Sequence, residues 1–255
     1  MKASEKFEYQ RFADIKRLLF IEQKLRSKLR PDAKVLDIGC GNGIISRYLG
    51  SKGFQVLGVD VDQKAIEYAN AHNSFSNVQF KVKDVEALTV EGVEYDAIIC
   101  SEVLEHLEQP SKLLQVLSKI LKPEGVLVVT VPNGSGPREL LVTRPVIYLS
   151  KRNGIVWKAI NGIKKKLGYT GQTIQSASDN LQHIQFFTKQ SLQKLASSNN
   201  FTIEQFRKSN FIDDVFPFSL FARNSLKIQK IDAAIADNLP TFCTGGFLTI
   251  WKKNS

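Results

Sequence analysis

The sequence predicts an α/β fold, a mostly parallel sheet with helices on both faces. Three observations carry this. Short β-branched runs are apolar almost throughout, which is the pattern of strands buried on both sides. Helical stretches alternate with them. A glycine-rich turn joins the first strand to the helix that follows.

In chain order, residues from about Tyr9 to Leu29 predict an amphipathic helix stopped by Pro31. Strands are predicted at Lys34–Ile38, Gln55–Val59, Val78–Val82, Asp96–Cys100 and Val126–Val131. Helices are predicted between them at 43–52, 62–71, 102–107 and 111–121. The last of these strands is launched by a Pro-Glu-Gly turn and ends at Pro132-Asn133. Regular alternation then stops. A helix near 188–198, a strand over Phe201–Phe206, an irregular stretch at 210–241 and a final strand Phe247–Trp251 complete the reading. The organisation is one domain over 1–255, with a helical cap at 1–33 and two insertions, a basic one at 134–182 and a Phe-rich one at 209–241.

The chain has 255 residues, 43% hydrophobic and 24% charged, enough to build a core. No apolar run approaches the roughly 20 residues of a membrane-spanning helix. Three scattered cysteines, Cys40, Cys100 and Cys243, make neither a disulfide scaffold nor a zinc ribbon. A reduced, cytosolic protein is expected. The net charge of +10 is local: Gly134 to Thr170 holds eight basic residues against Glu139 alone, so +7 sits in that segment and +3 in the remainder.

The sharpest motif is VLDIGCGNG at 35–43. Gly39 and Gly41 at a strand-to-helix turn let a ligand approach the backbone. Ile44 breaks the dinucleotide spacing G-x-G-x-x-G, and Asp37 opposes a pyrophosphate but suits an amino group, so NAD is the weaker reading. Asp60, ending the second strand, can accept from both hydroxyls of a ribose, with Val61 beside it. Asp84, after the third strand and followed by Val85, can accept from an adenine amine. Three acids at three consecutive strand ends outline an adenosine carrying an amino-acid tail.

This constellation resembles the class I S-adenosylmethionine-dependent methyltransferases, strongly over 34–133 and moderately over 183–208. The resemblance implies a Rossmann-like, seven-stranded sheet whose last strand is antiparallel. It also implies S-adenosylmethionine as cofactor, with Ser101 at the cofactor side of the fourth strand. The run Arg17-Leu18-Leu19-Phe20-Ile21 looks like the helix start of ubiquinone-pathway O-methyltransferases, which implies that Arg17 contacts the cofactor carboxylate.

On the acceptor side, SEVLEH follows the fourth strand. In a helical turn, Glu102, Glu105 and His106 share one face at i, i+3 and i+4. Two carboxylates and an imidazole suit a divalent cation such as Mg²⁺. The same E-x-x-E-H string occurs in ubiquinone-pathway O-methyltransferases and in small-RNA 2′-O-methyltransferases, and by that resemblance His183 supplies a fourth ligand. Without a metal, His106 or His183 is the candidate general base. Ser101 as a cap and Glu102 in a first turn also fit an ordinary helix start. His72 reads as a helix-end residue.

Segment 154–167, GIVWKAINGIKKKL, reads as a basic amphipathic helix. It suits a lid over the substrate, a contact with an anionic membrane, or, least well, nucleic acid. Phe211, Phe216, Phe218 and Phe221 are expected to wall an apolar pocket or form the core of the second insertion. The expected activity is O-methylation of a small, lipophilic or lipid-linked acceptor. RNA or glycan methylation, or a cofactor-binding module without catalysis, are the alternatives.

Overall fold

A computed structural model of the chain describes residues 8–84, 92–145, 148 and 183–254. Its sheet has seven strands: β1 Lys34–Ile38, β2 Gln55–Asp60, β3 Val78–Val82, β4 Tyr95–Ser101, β5 Leu121–Pro132, β6 Phe201–Lys208 and β7 Gly246–Lys253. Their spatial order is β3-β2-β1-β4-β5-β7-β6. β1 to β5 pair in parallel, and β7 runs antiparallel to both neighbours. The Lys122–Gly125 stretch bulges out of β5, because Leu121 faces Tyr95 and pairing resumes only at Val126 with Ala97.

Helices α1 Phe12–Lys28, α2 Ile44–Gly50 and α3 Gln63–Ala71 belong to one side of the sheet, and α4 Pro110–Ile120 and α5 Lys189–Ser197 to the other. Strand alternation divides the core between these two layers. Val35, Ala97, Ile99 and Val128 pack with the first group, while Leu36, Ile98, Leu127 and Trp251 pack with the second. No described helix is long and apolar enough to cross a membrane.

Two expectations need correction. The 210–241 stretch is not irregular throughout: it carries helix α6, Leu226–Asn238, whose N-cap Ser225 accepts from the Ile228 amide. α6 packs on α1, and Gln229 accepts from the Phe12 amide at 2.6 Å. The predicted helix at 102–107 shrinks to one 3₁₀ turn, Leu104–His106. Much of the basic insertion, including 154–167, lies outside the described residues.

Candidate active site

The strand order reverses between β1 and β4, and ligands of open α/β sheets bind in the crevice at such a reversal. A cavity of about 410 Å³ opens there, in the size range of small-molecule sites. Gly39 lines it at φ +64°, and a Cβ at that position would lie 2.5 Å from Val103 Cγ2. A glycine is therefore required twice over, by conformation and by space.

Asp60 fixes the turn. Its Oδ2 accepts from the Gly41 amide and its Oδ1 from the Asp62 amide, each at 2.9 Å, and both oxygens keep lone pairs for a ligand. Asp62 then caps α3 by accepting from the Lys64 amide. Asp37 lies at the cavity floor, buried, with the Ser46 hydroxyl donating to Oδ2 at 2.6 Å. Burial raises the Asp37 carboxyl to about 7, against the Ser46 hydrogen bond and with help from the Asp60 charge. Val61 and Ser101 also line the cavity, as does Tyr9, which the sequence did not mark.

Two predicted residues are not among the described residues that line this cavity. Asp84 is exposed just after β3 and does not line the cavity; Val85 falls outside the described residues. Arg17 is buried and borders a second, smaller cavity of about 70 Å³, paired with Asp14 at 3.0 Å and Glu102 at 3.5 Å. Those carboxylates hold the guanidinium in its charged form against burial.

The E-x-x-E-H string does not form one helical face. Glu102 adopts φ +57°, uncommon for a side-chain-bearing residue, and precedes the 3₁₀ turn rather than lying within it. Its carboxylate accepts from the Thr130 hydroxyl at 2.9 Å and pairs with Arg17. Glu105, His106 and His183 do converge, each with a ligand atom within 4.8 Å of the others. The Ile184 and Gln185 amides donate to the Glu105 carbonyl, which seats His183 beside His106. The imidazole centroids are 5.3 Å apart. Burial first, then the Glu102 charge, pushes the Glu105 carboxyl well above the usual carboxylate range.

Glu139 adjoins this cluster at His183, and no local motif announced it. It opens a π-helical turn, Glu139–Thr143, and is 1% exposed, with Oε1 3.4 Å from His183 Nδ1. Among the described residues, neither of its carboxylate oxygens has a hydrogen-bond donor, and neither does Glu105 Oε2. Orphaned buried carboxylates beside two imidazoles fit a divalent cation, so the donor set suits the metal expected from the sequence.

The predicted phenylalanine wall does not belong to either of these two cavities. Phe216, Phe218 and Phe221 are exposed, and neither they nor Phe211 line either cavity. His72 caps α3 and stacks on Tyr68, as a helix-end residue should. Cys40 lies in the glycine turn and Cys100 in the core.

The profile of a methyltransferase domain family matches residues 7–205. A ubiquinone biosynthesis O-methyltransferase of Coxiella burnetii is 34% identical over 119 residues, 46% of this chain and 50% of that protein. One of Leptothrix cholodnii is 34% identical over 139 residues, 53% of this chain and 58% of that protein. The chain thus spans about half the length of the curated relatives it matches. Among solved structures, the magnesium protoporphyrin IX methyltransferase of Synechocystis PCC 6803 with bound SAH superposes with a TM-score of 0.56 at 16% identity, covering 96% of this chain and 84% of that one. PKMT2 of Rickettsia typhi in complex with AdoHcy gives a TM-score of 0.58 at 19% identity, covering 94% and 52%. With the family match spanning most of its length and the glycine turn, Asp60 and the seven-stranded order all in place, the chain belongs to the methyltransferase domain family of S-adenosylmethionine-dependent enzymes.

Proposed function

We propose that the chain transfers the methyl group of S-adenosylmethionine to a hydroxyl of a small acceptor. The observation that carries this reading is the Glu105–His106–His183 cluster, which meets the cofactor cavity through His106. Transfer to oxygen needs a proton removed, and an imidazole bordering that cavity is placed to take it.

Each residue then has a task. The Gly39–Gly41 backbone receives the amino-acid tail, Asp37 pairs with its ammonium group, and Asp60 holds the ribose. Asp84 and Val85 serve the adenine side. The acceptor oxygen attacks the methyl carbon, the carbon–sulfur bond breaks with its electron pair left on sulfur, and the acceptor proton passes to His106. That route needs the His106 nitrogen free; with a divalent cation held by the cluster instead, the cation would lower the pKa of the acceptor hydroxyl so that its proton is lost to solvent. Arg17 acts through Glu102, which separates the two cavities.

The Asp37 assignment has a pH signature. A carboxyl raised to about 7 is protonated in much of the empty protein below that pH, yet must be ionised to pair with an ammonium. S-adenosylhomocysteine affinity is therefore expected to rise with pH up to about 7 and then level off. Each binding event at pH 6 should release close to one proton, read by calorimetry in buffers of different ionisation enthalpy. Asp37→Asn should flatten that dependence; a wild-type affinity indifferent to pH would remove Asp37 from the ammonium site.

For the acceptor, the ubiquinone-pathway names of the relatives and the exposed Phe216, Phe218 and Phe221 favour a lipophilic or lipid-linked molecule. The basic segment 154–167 would then contact an anionic membrane surface. A second reading rests on the 70 Å³ cavity, which meets the first at Glu102 and is lined by Arg11, Arg138 and Asp214. Guanidinium and carboxylate groups side by side favour a polar, hydroxyl-bearing acceptor such as a glycan.

Labelled methyl transfer into a fractionated cell extract separates the two, with Asp60→Ala protein as the blank. Label in the organic-soluble fraction supports the lipophilic acceptor. Label in glycan or RNA supports a polar one. No label in any fraction, with S-adenosylhomocysteine binding intact, overturns catalysis.

A further inference from the structure

We infer that Glu139 is a ligand of the cation held by Glu105, His106 and His183, and that Glu102 is not. The inference rests on the methyltransferase reading only in that this cluster borders the cofactor cavity.

Glu139 has the two properties of a ligand awaiting its ion. Its carboxylate is buried, and no donor among the described residues reaches either oxygen. A carboxylate removed from water without hydrogen bonds is costly, and native folds keep one only where something else compensates it. Its neighbours supply that compensation in kind. His183 Nδ1 is 3.4 Å from Glu139 Oε1, and Glu105 presents a second buried oxygen without a donor. Two carboxylates and two imidazoles make a mixed oxygen and nitrogen set, suited to a borderline divalent ion such as Mn²⁺ and open to Mg²⁺.

Glu102 has neither property. Its backbone turns to φ +57° before the 3₁₀ turn, and its carboxylate already accepts from Thr130 and faces Arg17. Drawing it to the cation would break both contacts and leave the buried Arg17 with Asp14 alone among its ion-pair partners.

The consequence reaches beyond the ligand count. Glu139 lies near the start of the inserted segment 134–182, and His183 follows its end. Glu139 is placed by the Asn133–Gly136 turn, where the Leu140 amide donates to the Gly136 carbonyl. His183 is placed by the bonds of Ile184 and Gln185 to Glu105. A shared cation would add one more tie between these two stretches and the turn after β4.

The test is calorimetric titration of Mn²⁺ into the full chain saturated with S-adenosylhomocysteine, with Mg²⁺ in a parallel series. Wild type is expected to bind one ion. Glu139→Gln should weaken it by more than the roughly 10- to 100-fold typical of losing an outer-shell partner. Glu102→Gln should leave the affinity within that of wild type. Melting in EDTA supplies a second readout. Glu139→Gln, which removes a buried carboxylate with no hydrogen-bond donor among the described residues, should melt no lower than wild type yet lose the rise in Tm that Mn²⁺ gives the wild type. If Glu139→Gln fails to fold, Glu139→Asp stands in, with weakened but measurable binding. Wild-type affinity in the Glu139 variants, or loss of the ion in Glu102→Gln, overturns the assignment. So does a wild type that binds S-adenosylhomocysteine but neither ion, an outcome that leaves the methyltransferase reading standing.

Discussion

Replacing Asp60 with alanine is expected to weaken S-adenosylhomocysteine binding by about 100- to 10,000-fold. A carboxylate gripping two ribose hydroxyls makes two charge-assisted hydrogen bonds, each contributing about 1.5–3 kcal/mol, and each 1.4 kcal/mol is a factor of ten. The same substitution strips the Gly41 and Asp62 amides of their acceptor, so the glycine turn loses its brace as well as the ligand its anchor. Asp60→Asn separates the contributions: it keeps one acceptor oxygen and should recover part of the loss. Calorimetry gives the affinities, and circular dichroism confirms that both variants fold. An Asp60→Ala protein that binds like wild type would place the cofactor outside this crevice.

The crevice was legible because each of its parts is a local pattern. β1 and β3 have the bounds that the apolar runs predict, and the glycine turn lies within nine consecutive residues. The acid at the end of β2 follows from chain order alone, since a parallel sheet brings successive strand ends to one edge. Helix α6 was legible too, and was missed. Ser225 followed by Leu226, Ile228 and an Ala-rich run is a capped helix by propensity, but the phenylalanines and Pro217 just before it draw the eye to a loop.

The acceptor side resisted for a different reason. Periodicity placed Glu102, Glu105 and His106 on one helical face, and the chain instead ends β4 with a left-handed residue before a single 3₁₀ turn. That backbone choice satisfies a partner far away in sequence, the buried Arg17. Glu139 offers no spacing to read at all. It meets His183 only because the turn after β5 and the segment before α5 cross: the Gly134 amide donates to the Phe187 carbonyl, and any Cβ on Gly134 would strike the Phe186 backbone. Long-range convergence of this kind has no signature within one sequence.

His106→Ala is expected to lower the rate of methyl transfer by about 10²- to 10⁴-fold, the range for removing a positioned acid–base group, while leaving S-adenosylhomocysteine affinity nearly unchanged. His183→Ala should cost less in the chemical step, because only His106 lines the cofactor cavity. Proton removal and simple positioning of the acceptor are separated by the acceptor's own acidity. A hydroxyl that is already ionised at the assay pH needs no base, so the penalty of His106→Ala should shrink steeply from an alcohol to an acidic phenol. A positioning role predicts the same penalty for both, because distance and angle to the methyl carbon do not depend on the proton. Equal losses across that series would take the base assignment from His106 and leave its part in the cation cluster as the reason for its place there.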